Sequence, residues 1–288
     1  MDVSDVFSNG FRLWKKNYKV GIIFFAGYIV SAIIFITVMA WIVLAVIGEN
    51  TLLKLYTHAI SQTLGNNPIM IKNLIKTEFF RVLPVVIVLF VALFLIHSYF
   101  LFAGIRGCVL AMDGSLSFRE AFKYALKRYP KFLLAEVLSA AIVLASTLPL
   151  IAGLLLKSKY VFIISLPLTL LAVIVTAFFL TYVNYAVADG YGAVESIFVS
   201  FRTVKSSPLN TLLIIIVVVI IGAACSTISS NISLTILKLH PSPSFSYFLI
   251  ALLSYYMIFS ILRSFFVMPL KAFFLLINMR YLDHTVSS

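Results

Sequence analysis

The chain has 288 residues, 62% hydrophobic and 11% charged, with a formal net charge of +12. Soluble domains carry about 25% charged residues, so this composition excludes a soluble globular domain and describes a polytopic membrane protein. In a soluble protein the positive charge would point to nucleic acid. Here Lys and Arg gathering at membrane ends and on cytoplasmic loops accounts for it, and no RNA-binding module or zinc finger accompanies it.

The N-terminal stretch places Val3, Phe7, Gly10, Phe11 and Trp14 at helical spacing ahead of the first long apolar run. That run is too long for a signal-peptide core, and no small-residue cleavage site follows it. It is expected to stay as a membrane anchor. A crossing needs ~20 apolar residues. Six runs qualify, approximately 20–47, 82–112, 131–156, 159–188, 208–237 and 244–282. Several exceed that length and must tilt, kink or protrude. Pro84, Pro149, Pro167 and Pro269 are the candidate kinks, tolerable where a neighbour satisfies the freed carbonyl. The last run divides into a crossing up to about Arg263 and a helix beyond Pro269.

Between the first two runs, about 48–81, lies the one long connection. Leu52, Leu55, Tyr56, Ile60 and Leu64 suggest a short amphipathic helix. Gly65 to Pro68 breaks it. A second short helix with Ile71, Leu74 and Ile75 follows. With the N-terminus placed inside, fifteen Lys and Arg fall on the inner side and seven on the outer. That excess puts both termini in the cytoplasm, with the chain as a multi-pass protein of the cell membrane.

Three polar stretches precede crossings on that inner side. Anchored on Asp5, Glu120 and Glu195, they share a pattern. Two residues on stand Phe7, Phe122 and Ile197. Five on stand the small residues Gly10, Ala125 and Ser200. Six on stand Phe11, Leu126 and Phe201. Seven on stand Arg12, Lys127 and Arg202, and nine on Trp14, Tyr129 and Val204. Offsets two, five, six and nine fall on one helix face. In the third stretch Val194, Ile197, Phe198, Phe201 and Val204 line that face, and Glu195, Arg202 and Lys205 leave it. Such helices lie in a bilayer surface, apolar side down. The even-numbered crossings end at Asp113, Asp189 and Asp283, the first two as Asp-Gly. The expected fold is therefore all-α: one membrane domain over 1–288, six transmembrane helices and three cytoplasmic interfacial helices. It falls into three parallel repeats of about 1–113, 114–189 and 190–283, unlike the inverted pairs of many transporters.

The stretch from Tyr185 to Ser206 contains Gly192-Ala-Val-Glu195-Ser and ends in Ser200-Phe-Arg202-Thr-Val-Lys205. It resembles a motif in the membrane domain of glycerophosphodiester phosphodiesterases and of their stand-alone prokaryotic relatives. The end of the chain, from Pro269 to Asp283, resembles that family's last helix through Tyr281-Leu-Asp283, although His284 stands where an Arg would be expected. The resemblance covers roughly the last hundred residues well and the rest in architecture. It implies a helical membrane domain. It does not imply the phosphodiesterase activity, which in that family belongs to a separate soluble barrel not present in this chain.

Catalytic signatures are missing from the sequence. His58, His97, His240 and His284 lie on different segments without paired ligand spacing, and neither a Gly-x-Ser-x-Gly nor a phosphate loop occurs. Cys108 and Cys225 sit inside apolar runs and read as free thiols. No metal or cofactor is expected. His97, mid-way along the second crossing, is the sharpest single candidate. A neutral imidazole bonded to a neighbouring helix is its simpler reading. Arg106 and Glu136 lie at similar depths and read as a structural ion pair; a proton relay is the weaker alternative, since Arg does not release protons at neutral pH. Asn184, Asn231, Asn278 and the Ser226–Ser233 cluster either line a cavity or hold helices together. Asn231-Ile-Ser233 matches a glycosylation acceptor only formally.

The basic residues of the three surface helices, Arg12, Lys15, Lys16, Lys123, Lys127, Arg128, Arg202 and Lys205, are the candidates for anionic lipid headgroups, worth about 1 kcal/mol each near the surface. These features favour a non-enzymatic, lipid-contacting or organising membrane module without nucleic acid as a partner. A protein partner or a second copy stays open. A transporter or channel would need a polar path past His97, Asn184 and Ser226. An intramembrane enzyme on lipid headgroups would need Asp113, Asp189, Glu195 and a His to converge.

Overall fold

The computed structural model describes residues 2–41, 68–156, 159–238 and 245–286, with side chains left aside at 68–82, 159, 245–249 and 283–286. Among the described residues the chain is all-helical. Helix α1 (Val3–Lys16) leads through a 3-10 turn (Tyr18–Val20) into α2 (Gly21–Trp41). There follow α3 (Pro68–Met112), α4 (Phe118–Ala145), α5 (Leu148–Leu155), α6 (Lys159–Phe179), α7 (Val183–Asp189), α8 (Ala193–Ser206), α9 (Pro208–Lys238) and α10 (Phe245–Leu262). A π-helical turn (Arg263–Val267) joins α10 to α11 (Met268–Val286). Among the described residues, five helical stretches are long and apolar enough to cross a membrane, or six if α4 and α5, bent by 43°, count as one.

The bend lies beside Pro149 in the first turn of α5, where a missing N–H does no harm. Pro84 and Pro167 instead stay inside α3 and α6. The short helix expected around Ile71 to Ile75 is not separate. It belongs to the 45-residue α3, about 67 Å long at 1.5 Å per residue and so longer than a bilayer is thick. The expected helix at Leu52 to Leu64 lies outside the described residues.

Two compact bodies emerge, residues 26–98 and residues 1–25 with 99–288. In the smaller, Tyr28 and His97 meet edge to face with ring centroids 5.4 Å apart. The larger one is built on three helix ends. Phe102 to Ala111 of α3, Tyr182 to Ala188 around α7 and Leu270 to Met279 of α11 supply most of its buried residues.

Helices α1, α4 and α8 pack on these ends. Phe7 and Phe11 of α1 set their rings edge-on to Phe274 of α11, at 5.0 and 5.4 Å. On α4, Phe132 stacks with Phe102 at 4.4 Å. Helix α8 packs against α7 and α4. Each of these helices starts on a bond between its cap and the residue three on, from the cap N–H in α1 and α8 and to the cap hydroxyl in α4. Asp2 N–H bonds Asp5, Glu120 N–H bonds Ser117, and Gly192 N–H bonds Glu195. Each satisfies an orphan donor of a first turn.

Their buried faces are made of small residues. Val6 and Gly10 on α1, Ala121 and Ala125 on α4, and Ser196 and Ser200 on α8 are all buried. Large apolar residues at the edge of each stripe point outward: Phe11 is 43% exposed, Leu126 70% and Phe201 39%. On α8 the side turned to the protein is thus Ala193, Ser196, Val199, Ser200, Thr203 and Val204, while Val194 and Phe198 are exposed. The apolar stripe and the protein-facing side only partly coincide. Small side chains let helices approach closely, and apolar bulk is free to face lipid.

Candidate functional site

Helices α3 and α7 end at Asp113-Gly114 and Asp189-Gly190, and both glycines adopt positive φ, 79° and 132°. The two ends close in the same way. Ser115 N–H returns to Leu110 O and Gly114 N–H to Ala111 O; Tyr191 N–H returns to Ala186 O and Gly190 N–H to Val187 O. This double closure satisfies the last carbonyls and requires a left-handed residue, which glycine supplies without strain.

Three arginines from three helices converge on three consecutive residues of the α7 end. Arg106 of α3 donates to the carbonyl of Ala188 at 3.0 Å. Arg128 of α4 donates to the carbonyl of Gly190. Arg280 of α11 holds the Asp189 carboxylate through Nε at 3.1 Å and Nη2 at 2.5 Å, and reaches Asp113 through Nη1 at 2.7 Å. The guanidinium carbons of Arg106 and Arg128 lie 4.0 and 5.5 Å from the centre of the Tyr124 ring. A helix C-terminus carries partial negative charge and attracts cations. Guanidinium suits this place because its planar fork bonds carboxylates and carbonyls and stacks on aromatic rings. Asp189 retains only 12% side-chain exposure against 45% for Asp113, so the first pair is the shielded one. With both carboxylates held by one guanidinium, this cluster ties the ends of α3 and α7 to α11.

Two residues before Arg280, Asn278 opens a second polar network. Asn278 Nδ2 donates to Tyr182 Oη at 2.7 Å and to Ser207 Oγ at 3.1 Å. Tyr182 Oη shares a bond with Thr211 Oγ1 at 3.0 Å. Ser200 Oγ donates to Phe179 O at 2.6 Å and accepts from Tyr182 N–H at 3.0 Å. Every member sits on a different turn or helix, which is how Ser, Thr and Asn join membrane helices. In α9 the hydroxyls of Thr227 and Ser229 return to carbonyls four residues back in their own helix, while Ser226 faces Tyr255 of α10 at 3.4 Å.

The headgroup candidates divide in two. Arg12, Lys15, Lys16, Lys123, Lys127, Arg202 and Lys205 are exposed. Arg128 is half-buried and turned toward Gly190. The expected ion pair between Arg106 and Glu136 does not form. Arg106 is drawn to the Ala188 carbonyl and the Tyr124 ring, and Glu136 accepts from Asn184 Nδ2 at 3.4 Å. Asp113 and Asp189 do come together, on Arg280, while Glu195 is spent on the N–H of Gly192. His58 and His240 lie outside the described residues, as do the side chains of Asp283 and His284. Among the described residues no three His, Cys, Asp or Glu side chains gather to hold a metal.

No local pattern in the sequence points to Arg280, which counts there only among the basic residues. The signal the sequence offers is the pair of Asp-Gly helix ends, two carboxylates in need of a shared cation. No protein-family model, no curated protein and no solved structure matches this chain.

Proposed function

We propose that this is a non-enzymatic, lipid-contacting module of the cell membrane, without cofactor, with six crossings and both termini in the cytoplasm. It consists of three parallel units of about 1–113, 114–189 and 190–283, each opening with an interfacial helix. The observation that carries the reading is the pairing of exposed apolar and exposed basic residues on the same short helices. Leu126 stands beside Lys123 and Lys127, and Val194, Phe198 and Phe201 beside Arg202 and Lys205. Phe11 stands beside Arg12 and Lys15. Water does not favour the first set and hydrocarbon does not favour the second. A bilayer interface with anionic headgroups accommodates both.

The packing supports the three units. Helix α8 packs on the preceding α7, Phe132 of α4 stacks on Phe102 of the preceding α3, and α1 packs on α11. The resemblance to the membrane domain of glycerophosphodiester phosphodiesterases belongs to this proposal, as a resemblance of the membrane part alone.

The test is lipid retention. Purified protein in mixed vesicles should retain anionic over zwitterionic lipid, in a salt-sensitive manner. Replacing Lys123, Lys127, Arg202 and Lys205 by Gln should weaken the preference. Arg128 is left intact because it holds Gly190. An unchanged preference in that variant would overturn the reading.

A further inference from the structure

We propose that Glu136, with Ser139 and Asn184, forms an intramembrane site between α4 and α7 that binds a proton or a small monovalent cation. Glu136 lies five residues beyond Lys131, about a turn and a half into the apolar run. Its neighbours Leu134 and Val137 are 50% and 62% exposed, so this segment faces lipid on its outer side. Oε1 meets Asn184 at the long distance of 3.4 Å. Oε2 is buried without a partner, and so is Ser139 Oγ, three residues on and therefore on the same helix face. The expected counter-charge, Arg106, is bonded elsewhere.

A carboxylate with one long hydrogen bond in an apolar environment is strongly disfavoured. It must be neutralised by what it binds. A carboxyl oxygen, a hydroxyl and an amide oxygen, presented if the Asn184 amide turns over, offer three oxygens. That is too few for a calcium ion, which takes six to eight ligands, and sufficient for a proton or a partly hydrated monovalent ion. Among the described side chains, the ionisable groups on the elements packed around Glu136 are His97, Tyr99, Arg106 and Cys108 on α3, Tyr160 on α6, Tyr185 and Asp189 on α7, and Glu195, Arg202 and Lys205 on α8, with Arg119, Glu120, Lys123, Tyr124, Lys127, Arg128, Tyr129 and Lys131 on its own helix. None of them bonds the Glu136 carboxyl. The site is independent of the headgroup reading and stands or falls separately.

The experiment uses the full-length protein in lipid nanodiscs. Its unfolding midpoint is followed across pH, in sodium and in choline buffers of equal ionic strength, for the wild type and Glu136→Gln. The expected result is a wild-type midpoint that rises with acid or with sodium, and loss of that response in Glu136→Gln. Dependence on acid alone assigns the proton; a sodium shift assigns the cation. A wild-type midpoint indifferent to both, or a response equal in the variant, overturns the proposal. Dicyclohexylcarbodiimide then locates the group. A protonated carboxyl adds across one C=N bond, its proton passing to nitrogen and its oxygen to carbon, and the acyl group migrates to nitrogen with nothing leaving. Peptide mapping should find the adduct on Glu136, diminished in alkaline buffer or by sodium. A modification that falls only on other carboxyls removes Glu136 as the site.

Discussion

The indole Nε1–H of Trp14, in α1, donates to the main-chain carbonyl of Phe265 at 2.7 Å. Four residues after Phe265 stands Pro269, which has no N–H to close an α-helical bond to that carbonyl. The π-helical turn over Arg263–Val267 accommodates the irregularity, and Trp14 supplies a donor from the other end of the chain. Trp14→Phe keeps a ring against Phe266 and removes the donor. It should cost about 1–2 kcal/mol of stability. In a Pro269→Ala background the same change should cost much less. Unfolding midpoints of the four proteins give the coupling directly, and additivity would contradict this account.

This bond shows what was legible in the chain and what was not. Apolar run lengths mark the crossings, since a membrane needs about 20 such residues. Pro269 marks the interruption, and a freed carbonyl in an apolar environment demands a donor. Which donor answers it depends on a contact 251 residues apart in sequence, and no local pattern encodes that. Arg280 is similar. The Asp-Gly ends announce helix termination through glycine chemistry, but two aspartates 76 residues apart are joined only once α11 lies between them. Depth along a helix suggested that Arg106 and Glu136 would pair. Depth says nothing about which face a side chain takes, and the carbonyl at the α7 end captured the guanidinium.

The two carboxylates on Arg280 should differ in weight. Asp189 is shielded and doubly bonded, whereas Asp113 is 45% exposed and bonded once. Asp189→Asn leaves a half-buried guanidinium short of its main partner and should cost about 2–4 kcal/mol. Asp113→Asn removes a solvent-screened contact worth about 0–1 kcal/mol. Thermal unfolding in detergent at low and high salt separates them: the smaller effect should fade with salt and the larger should persist.

At Gly10, α1 lies close against α11. A Cβ there would run into the ring of Phe274, which is fully buried and edge-packed by Phe7 and Phe11. Gly10→Ala should therefore cost about 1–3 kcal/mol through overpacking, despite the gain in helix propensity. Gly190 fails for a different reason. Space around it is open, but its φ of 132° is strained for any side chain, so Gly190→Ala should cost about 1 kcal/mol or more. Phe274→Leu should relieve the first variant and leave the second unchanged, as read from unfolding midpoints.

The Tyr182–Asn278 bond makes an asymmetric prediction. Both residues are almost fully buried, Tyr182 at 0% and Asn278 at 2% exposure. If Asn278 becomes Leu, of comparable reach, Tyr182 can still donate to Thr211, and Ser207 still donates to Thr203 O at 3.2 Å. No polar group is stranded. If Tyr182 becomes Phe, the amide of Asn278 loses its 2.7 Å acceptor and keeps only Ser207. A buried N–H without an acceptor costs about 1–3 kcal/mol, whereas removing a polar group whose partners remain satisfied is nearly neutral. Tyr182→Phe should therefore destabilise more than Asn278→Leu, although it deletes a single oxygen. Adding Asn278→Leu to Tyr182→Phe should recover stability, because it removes the stranded amide. If the double variant instead loses the sum of the single effects, packing and not hydrogen bonding governs this layer.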